Sequence, residues 1–510
     1  MNQVFDVVQV GYGPVGQVLA AGLGRRGHRV QVLERHHQRY AVSRAGTFDH
    51  EVMRTLQGLG VAEELERKLA RPLGMAMMDA GGRVLTQVAA HRDVVSGWHG
   101  SYTMYQPDLE DALDRVVRAE PSVEVLMGWV VDQVVPAVDH VVVESRHRET
   151  GERRTSRGRY VIGADGANSA VRELAGFVQE DLGYRGPWLV IDFEHHDPAV
   201  SLPLRDGFVL DPRRPALLGR WLGRRHSRME FMLAAGESPE DMTAEDRCWE
   251  LAAPWGVTPA TSRIARRAVY EFGSQLVKDW RRGRVLLAGD AAHVMPPFLG
   301  QGFCAGVRDA ANLTWKLDLV VRGEADEALL DTYTRERRPH VEQVIRMAMA
   351  LGAMVSTTDQ VTADRRDAAL SGSGVPPTPS LPGLVDGVLR PGAGGLALQA
   401  RVERDGERGR LDDLIGGGWR ILTRRPVPVD ALTDRRSALL DRLGAEIVVI
   451  SPVALSGGVV DVDLDYEAWF DELNATAVIV RPDFYLYAAL PDLAVLGEAL
   501  DDLARELELT

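Results

Sequence analysis

Residues 5–35, FDVVQVGYGPVGQVLAAGLGRRGHRVQVLER, constrain the fold more than any other stretch of this chain. A short apolar run at 5–10 ends in GYGPVG. Apolar residues then recur at helical spacing over 14–26, and a second run at 29–33 closes on Glu34 and Arg35. Strand, glycine turn, helix and strand make a βαβ unit, which requires a parallel sheet. The turn holds Gly11, Gly13, Pro14, Val15 and Gly16. Glycines at these spacings allow the tight turn, the approach of backbone to a pyrophosphate, and close helix–strand packing. Phosphate charge then faces a helix N-terminus. Glu34 stands where a carboxylate accepts from a ribose hydroxyl. GxGxxG alone is weak evidence; between a strand and a helix, with an acid closing the second strand, it reads as a dinucleotide site rather than a structural turn.

A chain of 510 residues exceeds one ordinary core, so two or three domains are expected. Hydrophobic content of 45% and charged content of 26% are those of a soluble globular protein. The net charge of −14 argues against nucleic acid and against an anionic membrane surface. Two cysteines, Cys248 and Cys304, exclude a disulfide scaffold and a cysteine zinc site. They fit a reducing, cytoplasmic setting. The opening MNQVFDVVQVGYG has no basic n-region, so no signal peptide is expected, and no apolar run reaches membrane-span length.

Along the chain, helices are expected at 48–70 and 107–119 and strands at 123–126 and 141–145. Over 182–280, strand-like runs (188–194, 216–222, 228–234, 268–272) alternate with Pro, Gly and charge clusters, which predicts a mainly antiparallel sheet. A strand of parallel type returns at 284–288, followed by helices near 305–322 and 326–355. Residues 371–396 are rich in Pro, Gly and Ser and read as a linker with a docking segment. Alternating runs resume over 397–510 and end in a helix at 492–508, a small α/β domain.

Two further strand ends repeat the logic of the first. GADGANS carries Asp165 between Gly163 and Gly166, although an ordinary Asp-Gly turn is a competing reading. RVLLAGDAAHVMPPFLGQGF ends a strand on Asp290 and continues through Pro296, Pro297, Gly300, Gln301, Gly302 and Phe303. Such a loop suits contact with a ligand.

Together GYGPVG, GADGANSAVR and GDAAHVMPPFLGQG resemble the single-component FAD-dependent aromatic hydroxylases. The stretches SRAGTFDHEVMRTLQGLGV, GQGFCAGVRDAANLTWKL, LLDTYTRERRPH and WFDELNATAVIVRPDFYLYAA extend the likeness, toward the 3-(3-hydroxyphenyl)propionate hydroxylase-like monooxygenases, over nearly the whole chain. The resemblance implies an α/β fold: a Rossmann-like FAD-binding domain with an inserted, mainly antiparallel substrate-domain sheet, plus a C-terminal thioredoxin-like α/β domain. The expected division is 1–72, 101–181 and 283–370 for FAD binding, and 73–100 and 182–282 for substrate. Residues 371–396 are the linker, and 397–510 the last domain, which lacks a CxxC and hence dithiol chemistry.

The activity implied is hydroxylation of a phenolic or other electron-rich ring through a flavin C4a-hydroperoxide. NADH or NADPH supplies electrons and O2 the oxygen; the cofactor carries the hard chemistry. No metal is implied. A small aromatic substrate and a homodimer are the expected partners. Competing readings are a reductase or dehydrogenase of the same fold and an inactive FAD-binding module.

The likeness also implies roles. Glu34 with Arg35 falls to the adenosine ribose, Asp290 to the ribityl side, and Asp165 to the pyrophosphate, with Arg44 offsetting charge. Pro296 and Pro297 line the substrate. Gly300, Gln301, Gly302 and Phe303 lead to a helix N-terminus that stabilises anionic reduced flavin. Gln106 is either near the flavin or a helix-entry residue. Asp49 and His50 either approach the substrate or form an exposed first helical turn. Tyr270 either orients a phenol or is a core residue. An Arg among 220–228 could pair a substrate carboxylate. His293 reads as structural and Cys304 as packing.

Overall fold

The computed structural model describes residues 4–39, 43–72, 74–89, 95–197, 199, 205–220, 225–372 and 380–507. The βαβ unit forms as read: strand Val4–Val10, helix Pro14–Gly24 and strand Val30–Glu34. Val4–Val10 pairs in parallel with Val30–Glu34 on one side and with Arg153–Gly163 on the other. Val285–Leu287 and Val123–Met127 extend this parallel sheet. The three motif-bearing strands are therefore neighbours, and their C-terminal ends share one edge, where open α/β sheets bind ligands.

The second sheet has eight strands. Gln179–His195 lies at its centre, between Ser262–Val277 and His226–Met232, and the pairing is antiparallel except where Gly207–Val209 meets Gly74–Met78. One face of this sheet packs Trp188, Phe208 and Leu217 around Phe298, which projects from the Pro-rich loop. Helix Gly302–Arg322 joins the layers; its buried face covers the parallel sheet.

The third sheet, of seven strands, belongs to the C-terminal α/β domain. Arg420–Thr423 is parallel to Glu446–Ser451 and antiparallel to Ala477–Val480, which pairs with Leu486–Leu490. Helix Leu496–Glu506 closes the chain, shorter than expected because the 3-10 turn Leu493–Val495 precedes it.

Several local expectations are corrected. The helix expected at 48–70 is strand Thr47–Asp49, helix His50–Gly58 and helix Ala62–Glu66. Gly60 breaks it with a φ of +70°, and Thr47–Asp49 pairs with Ser101–Thr103, so local helical spacing loses to a tertiary strand partner. Helices Pro239–Met242 and Glu245–Ala252 interrupt the antiparallel region, each opening with acids that favour a helix N-terminus. Apart from these corrections, the docking segment expected in the linker is packed, with Leu384 and Val388 buried. Residues 373–379 of that linker, and 221–222 of the strand expected at 216–222, lie outside the described residues.

Candidate active site

The first glycine turn divides its labour as its spacing suggests. Gly11 has φ +102°, and a Cβ there would meet the Ala164 carbonyl oxygen at 2.3 Å. A Cβ on Gly16 would meet the Gly11 oxygen at 2.5 Å. Gly13 faces open space. Two glycines are thus required by packing, and the third leaves the backbone bare where a phosphate would approach. Helix Pro14–Gly24 starts with Pro at its first turn, no side-chain cap and no acid there, so its leading N–H groups are available to an anion. Val15 packs against Gly289 and Gly306, tying the first segment to the third.

The three acids differ in environment. Glu34 is half-buried; its carboxylate accepts from the Tyr12 N–H at 2.8 Å and the His36 N–H at 2.9 Å. Arg35 beside it is exposed. Asp165 accepts from the Ser169 hydroxyl at 2.5 Å and the Val171 N–H at 3.1 Å, and so organises the start of helix Ala170–Leu174. Asp290 has an exposed surface, yet burial still raises its carboxyl above the ordinary range, with His293 and Arg44 opposing.

Arg44 lies close enough to influence both Asp290 and Glu110. Its segment is held from two sides. Gln106 Oε1 accepts from the Arg44 and Ala45 N–H groups at 2.8 and 2.9 Å, while its Nε2 donates to Glu110 at 2.6 Å. Arg228 donates to the carbonyls of Ser43 and Arg44 at 2.5 and 2.6 Å and to Asp192 at 2.7 Å. Gln106 therefore acts as an anchor for the Arg44 loop. Arg228, one of the arginines considered for a substrate carboxylate, is already engaged; Arg224 lies outside the described residues.

In the third segment, Gly289 has φ +61° and donates its N–H to Asp309 at 3.0 Å. The same carboxylate takes His293 Nε2 at 2.6 Å and Arg337 Nε at 2.9 Å. His293 is fully buried against Trp280, as its structural reading expects. Pro296 leads into the 3-10 turn Pro297–Leu299, whose Pro297 carbonyl accepts from the Gly300 N–H at 2.8 Å. Gly300 has φ +64°, and a Cβ there would meet the Thr47 hydroxyl at 2.6 Å. Helix Gly302–Arg322 opens after Gln301 with no side-chain cap and no acid in its first turn. Phe303 is half-buried, its ring edge-on to Phe48.

One catalytic expectation is revised. Asp49 is buried; it caps helix His50–Gly58 through the Val52 N–H and accepts from Arg308 Nη2 at 2.5 Å. Burial opposes its ionisation, but Arg308, His50 and the Val52 N–H together hold its pKa at about 2. A carboxylate so engaged is not a substrate base. Tyr270 stands mid-strand in Ser262–Val277; its hydroxyl accepts from Arg266 at 3.1 Å and its ring stacks parallel to Phe272. His50 pairs with the Ser96 hydroxyl at 2.9 Å. Cys304 is buried, and burial raises its thiol pKa.

Sequence reading missed three residues that hold the segments together: Arg172, Arg308 and Asp309. Arg172 donates to the Ala167 and Ala291 carbonyls and so bridges the second and third segments. All three stand inside quoted motifs, but their partners are remote in sequence, so no local spacing signals them.

The bare backbone at Gly13, the two uncapped helix starts and the acid at the end of the second strand fit an FAD. Comparison with known proteins agrees. Residues 4–348 match the FAD binding domain family, and residues 394–506 match the HcaD C-terminal domain family. A Rhodococcus jostii protein named "Probable NADH-specific resorcinol 4-hydroxylase" is 36% identical over 99% of this chain and 95% of its own length. A 3-(3-hydroxy-phenyl)propionate/3-hydroxycinnamic acid hydroxylase of Mycolicibacterium smegmatis is 32% identical over 94% of this chain and 89% of its own. Among solved structures, the flavin-dependent monooxygenase PieE superposes with a TM-score of 0.82 at 20% identity, both chains fully covered. Aklavinone-11 hydroxylase gives 0.81 at 24%, again with both fully covered. By fold, motif geometry and full-length similarity, this chain belongs to the FAD-binding aromatic hydroxylases, monooxygenases that use FAD and a nicotinamide.

Proposed function

We propose that this protein hydroxylates an uncharged phenol of the dihydroxybenzene class, with NADH as the electron donor and O2 as the oxygen source. The reaction balances as ArH + NADH + H⁺ + O2 → ArOH + NAD⁺ + H2O. The observation that carries the reading is the 36% identity, over 99% of the chain, to a relative named for NADH and resorcinol. The substrate-sheet face supports it. Asp192, Arg228, Glu230 and Arg266 share that face as two carboxylates and two guanidiniums, with Arg228 and Arg266 both bonded to Asp192. A charge-balanced face of this kind favours a neutral ring over a carboxylate.

In this reading, the backbone of 11–16 and the start of helix Pro14–Gly24 receive the pyrophosphate. Glu34 addresses the adenosine ribose, Arg44 the phosphates, and Asp290 the ribityl chain. The start of helix Gly302–Arg322 faces the flavin ring and favours negative charge on it. The Pro297 carbonyl closes its own turn, so the Pro296 carbonyl is assigned to the substrate hydroxyl. Bound FAD would supply electron transfer from nicotinamide and activation of oxygen; the protein positions the ring and excludes water around it. Asp165 and Gln106 serve as organisers. The division into FAD-binding, substrate and C-terminal domains follows the three sheets. No helix among the described residues is long and apolar enough to cross a membrane, and the acidic charge fits a cytoplasmic enzyme.

The test is NADH oxidation by the FAD-loaded protein with resorcinol, catechol and 3-(3-hydroxyphenyl)propionate, under isotopically labelled O2. The expected result is stimulation by the neutral phenols and one labelled oxygen in the product. Hydride transfer without label in any product would establish a reductase instead. A preference for the carboxylated phenol would overturn the substrate class alone.

A further inference from the structure

We propose that Glu230 is a substrate-binding residue whose carboxylate accepts a hydrogen bond from the second ring hydroxyl of a dihydroxybenzene, and so sets the preference for that class. This rests on the reading of the protein as a hydroxylase of neutral phenols.

Strand register fixes where Glu230 points. It stands in His226–Met232, opposite Val190 of Gln179–His195 and opposite Leu217 of Ala216–Gly219. Residues opposite one another in an antiparallel pair share a face, as do residues two apart on one strand. Leu217, Trp188 and Met232, which share the face of Glu230 by these rules, all belong to the apolar cluster around Phe298. Glu230 therefore faces the Pro-rich loop. Met229 and Phe231 take the other face, in a separate core with Cys248. In the other direction the Glu230 face carries the Asp192 and Arg228 pair. Glu230 thus lies where an aromatic surface meets a charged one, which suits a ring bearing a hydroxyl.

The carboxylate has no donor from the protein. Glu230 is 5% exposed, and the guanidinium nearest to it among the described residues, at Arg228 Nη1, is 3.9 Å away, too far for a hydrogen bond. Arg228 is engaged elsewhere: Nε and Nη2 bond Asp192, and Nη1 and Nη2 bond the carbonyls of Arg44 and Ser43. Arg266 Nη2 also holds Asp192, at 2.8 Å, and its Nη1 donates to Tyr270. Among the described residues no group donates to Glu230. Burial raises its carboxyl above the ordinary range; Arg228 and Arg266 oppose the rise and Asp192 adds to it. A buried carboxylate without a donor costs stability, and the fold gains no contact from this one. A phenolic O–H supplies the donor, and a bond to a carboxylate is stronger than one between neutral groups. The Pro296 carbonyl takes one hydroxyl of a dihydroxybenzene and Glu230 the other. A substrate carboxylate in the same place would meet like charge.

The test uses the FAD-loaded full-length protein, with Glu230→Gln and Glu230→Leu, and with Glu271→Gln as control. Glu271 is an exposed carboxylate on strand Ser262–Val277. Binding of resorcinol, and of 3-methoxyphenol with its single hydroxyl, is followed by the change in flavin absorbance. The wild type and Glu271→Gln should bind resorcinol at least about tenfold more tightly than 3-methoxyphenol. In Glu230→Leu the two affinities should come within about twofold, through a loss for resorcinol. Glu230→Gln keeps an acceptor without the charge, so its preference should fall between. The apoprotein of Glu230→Gln should melt no lower than the wild type, because an unpaired buried charge is removed. A preference unchanged in Glu230→Leu would overturn the proposal, as would a wild type that does not prefer resorcinol. A melting temperature lower by more than about 4 °C in Glu230→Gln would also overturn it, by making the carboxylate a structural partner of Arg228. Failure of the hydroxylase reading shows separately, as absence of labelled product from the wild type, whatever its binding preference.

Discussion

Arg481 of the C-terminal domain places its guanidinium 2.6 Å from the Glu336 carboxylate of helix Asp331–Val355, and both side chains are 0% exposed. Lys316 approaches the same Glu336 oxygen at 2.8 Å and Asn312 at 2.6 Å. Removing one member of such a cluster leaves a buried charge without its partner. Arg481→Met should therefore cost about 3–5 kcal/mol, read as a lower midpoint in chemical denaturation. A loss under about 1 kcal/mol would mean the cluster reorganises around Lys316.

The glycine turn separates folding from cofactor binding. Gly16→Ala drives a Cβ to 2.5 Å from the Gly11 oxygen and should destabilise the fold itself. Gly13→Ala meets nothing within 4 Å, so the apoprotein should keep its melting temperature while FAD affinity falls at least about tenfold, about 1.4 kcal/mol. Calorimetry of apoprotein and fluorescence titration with FAD distinguish the two.

Gln106 satisfies two N–H groups of the Arg44 segment with one oxygen. Gln106→Leu leaves both without that acceptor and should weaken FAD binding by roughly 1–3 kcal/mol, or about 5- to 150-fold. Gln106→Glu keeps an acceptor but faces Glu110, so it should recover affinity only partly. Equal affinity in both variants and the wild type would remove the anchor role.

Acid sensitivity should be concentrated at ion pairs that join the sheets. Burial opposes ionisation of Glu336 and Asp412, yet Arg481 with Lys316, and Arg54 with Arg420, hold each at about 2, as Arg308 holds Asp49. Folded values below the unfolded ones mean the folded chain binds fewer protons. Their stabilisation is complete above the unfolded range near pH 4 and is lost as pH falls toward 2. Asp49 alone accounts for about 2 kcal/mol. Denaturation midpoints should be flat from pH 7 to about 5 with respect to these groups and fall steeply below about 4. Asp412→Asn should flatten part of that slope.

Local signals made the first motif legible. The 3.6-residue period over 14–26, the short apolar runs on either side and the glycine spacing are all properties of adjacent residues, and the βαβ unit followed them closely. The same reasoning reached the antiparallel sheet and the C-terminal α/β domain. It failed at 48–70, where a strand partner at Ser101–Thr103 redirected the chain. It left Asp49 between a substrate role and an exposed first helical turn, because the partner that neutralises it, Arg308, is remote in sequence and reaches it only once helix Gly302–Arg322 is packed.

The sequence by itself determined the βαβ unit, the three glycine-bearing strand ends and the dinucleotide they suit, because each rests on backbone conformations set by neighbouring residues. Tertiary structure alone decided which polar groups are engaged. Arg228 turned from a possible substrate contact into a clamp on the Arg44 loop, and Asp49 became a cap. Arg481 came within reach of Glu336 only when the C-terminal domain docked on helix Asp331–Val355. Charge pairing and desolvation depend on distances through space, and those distances are set by packing.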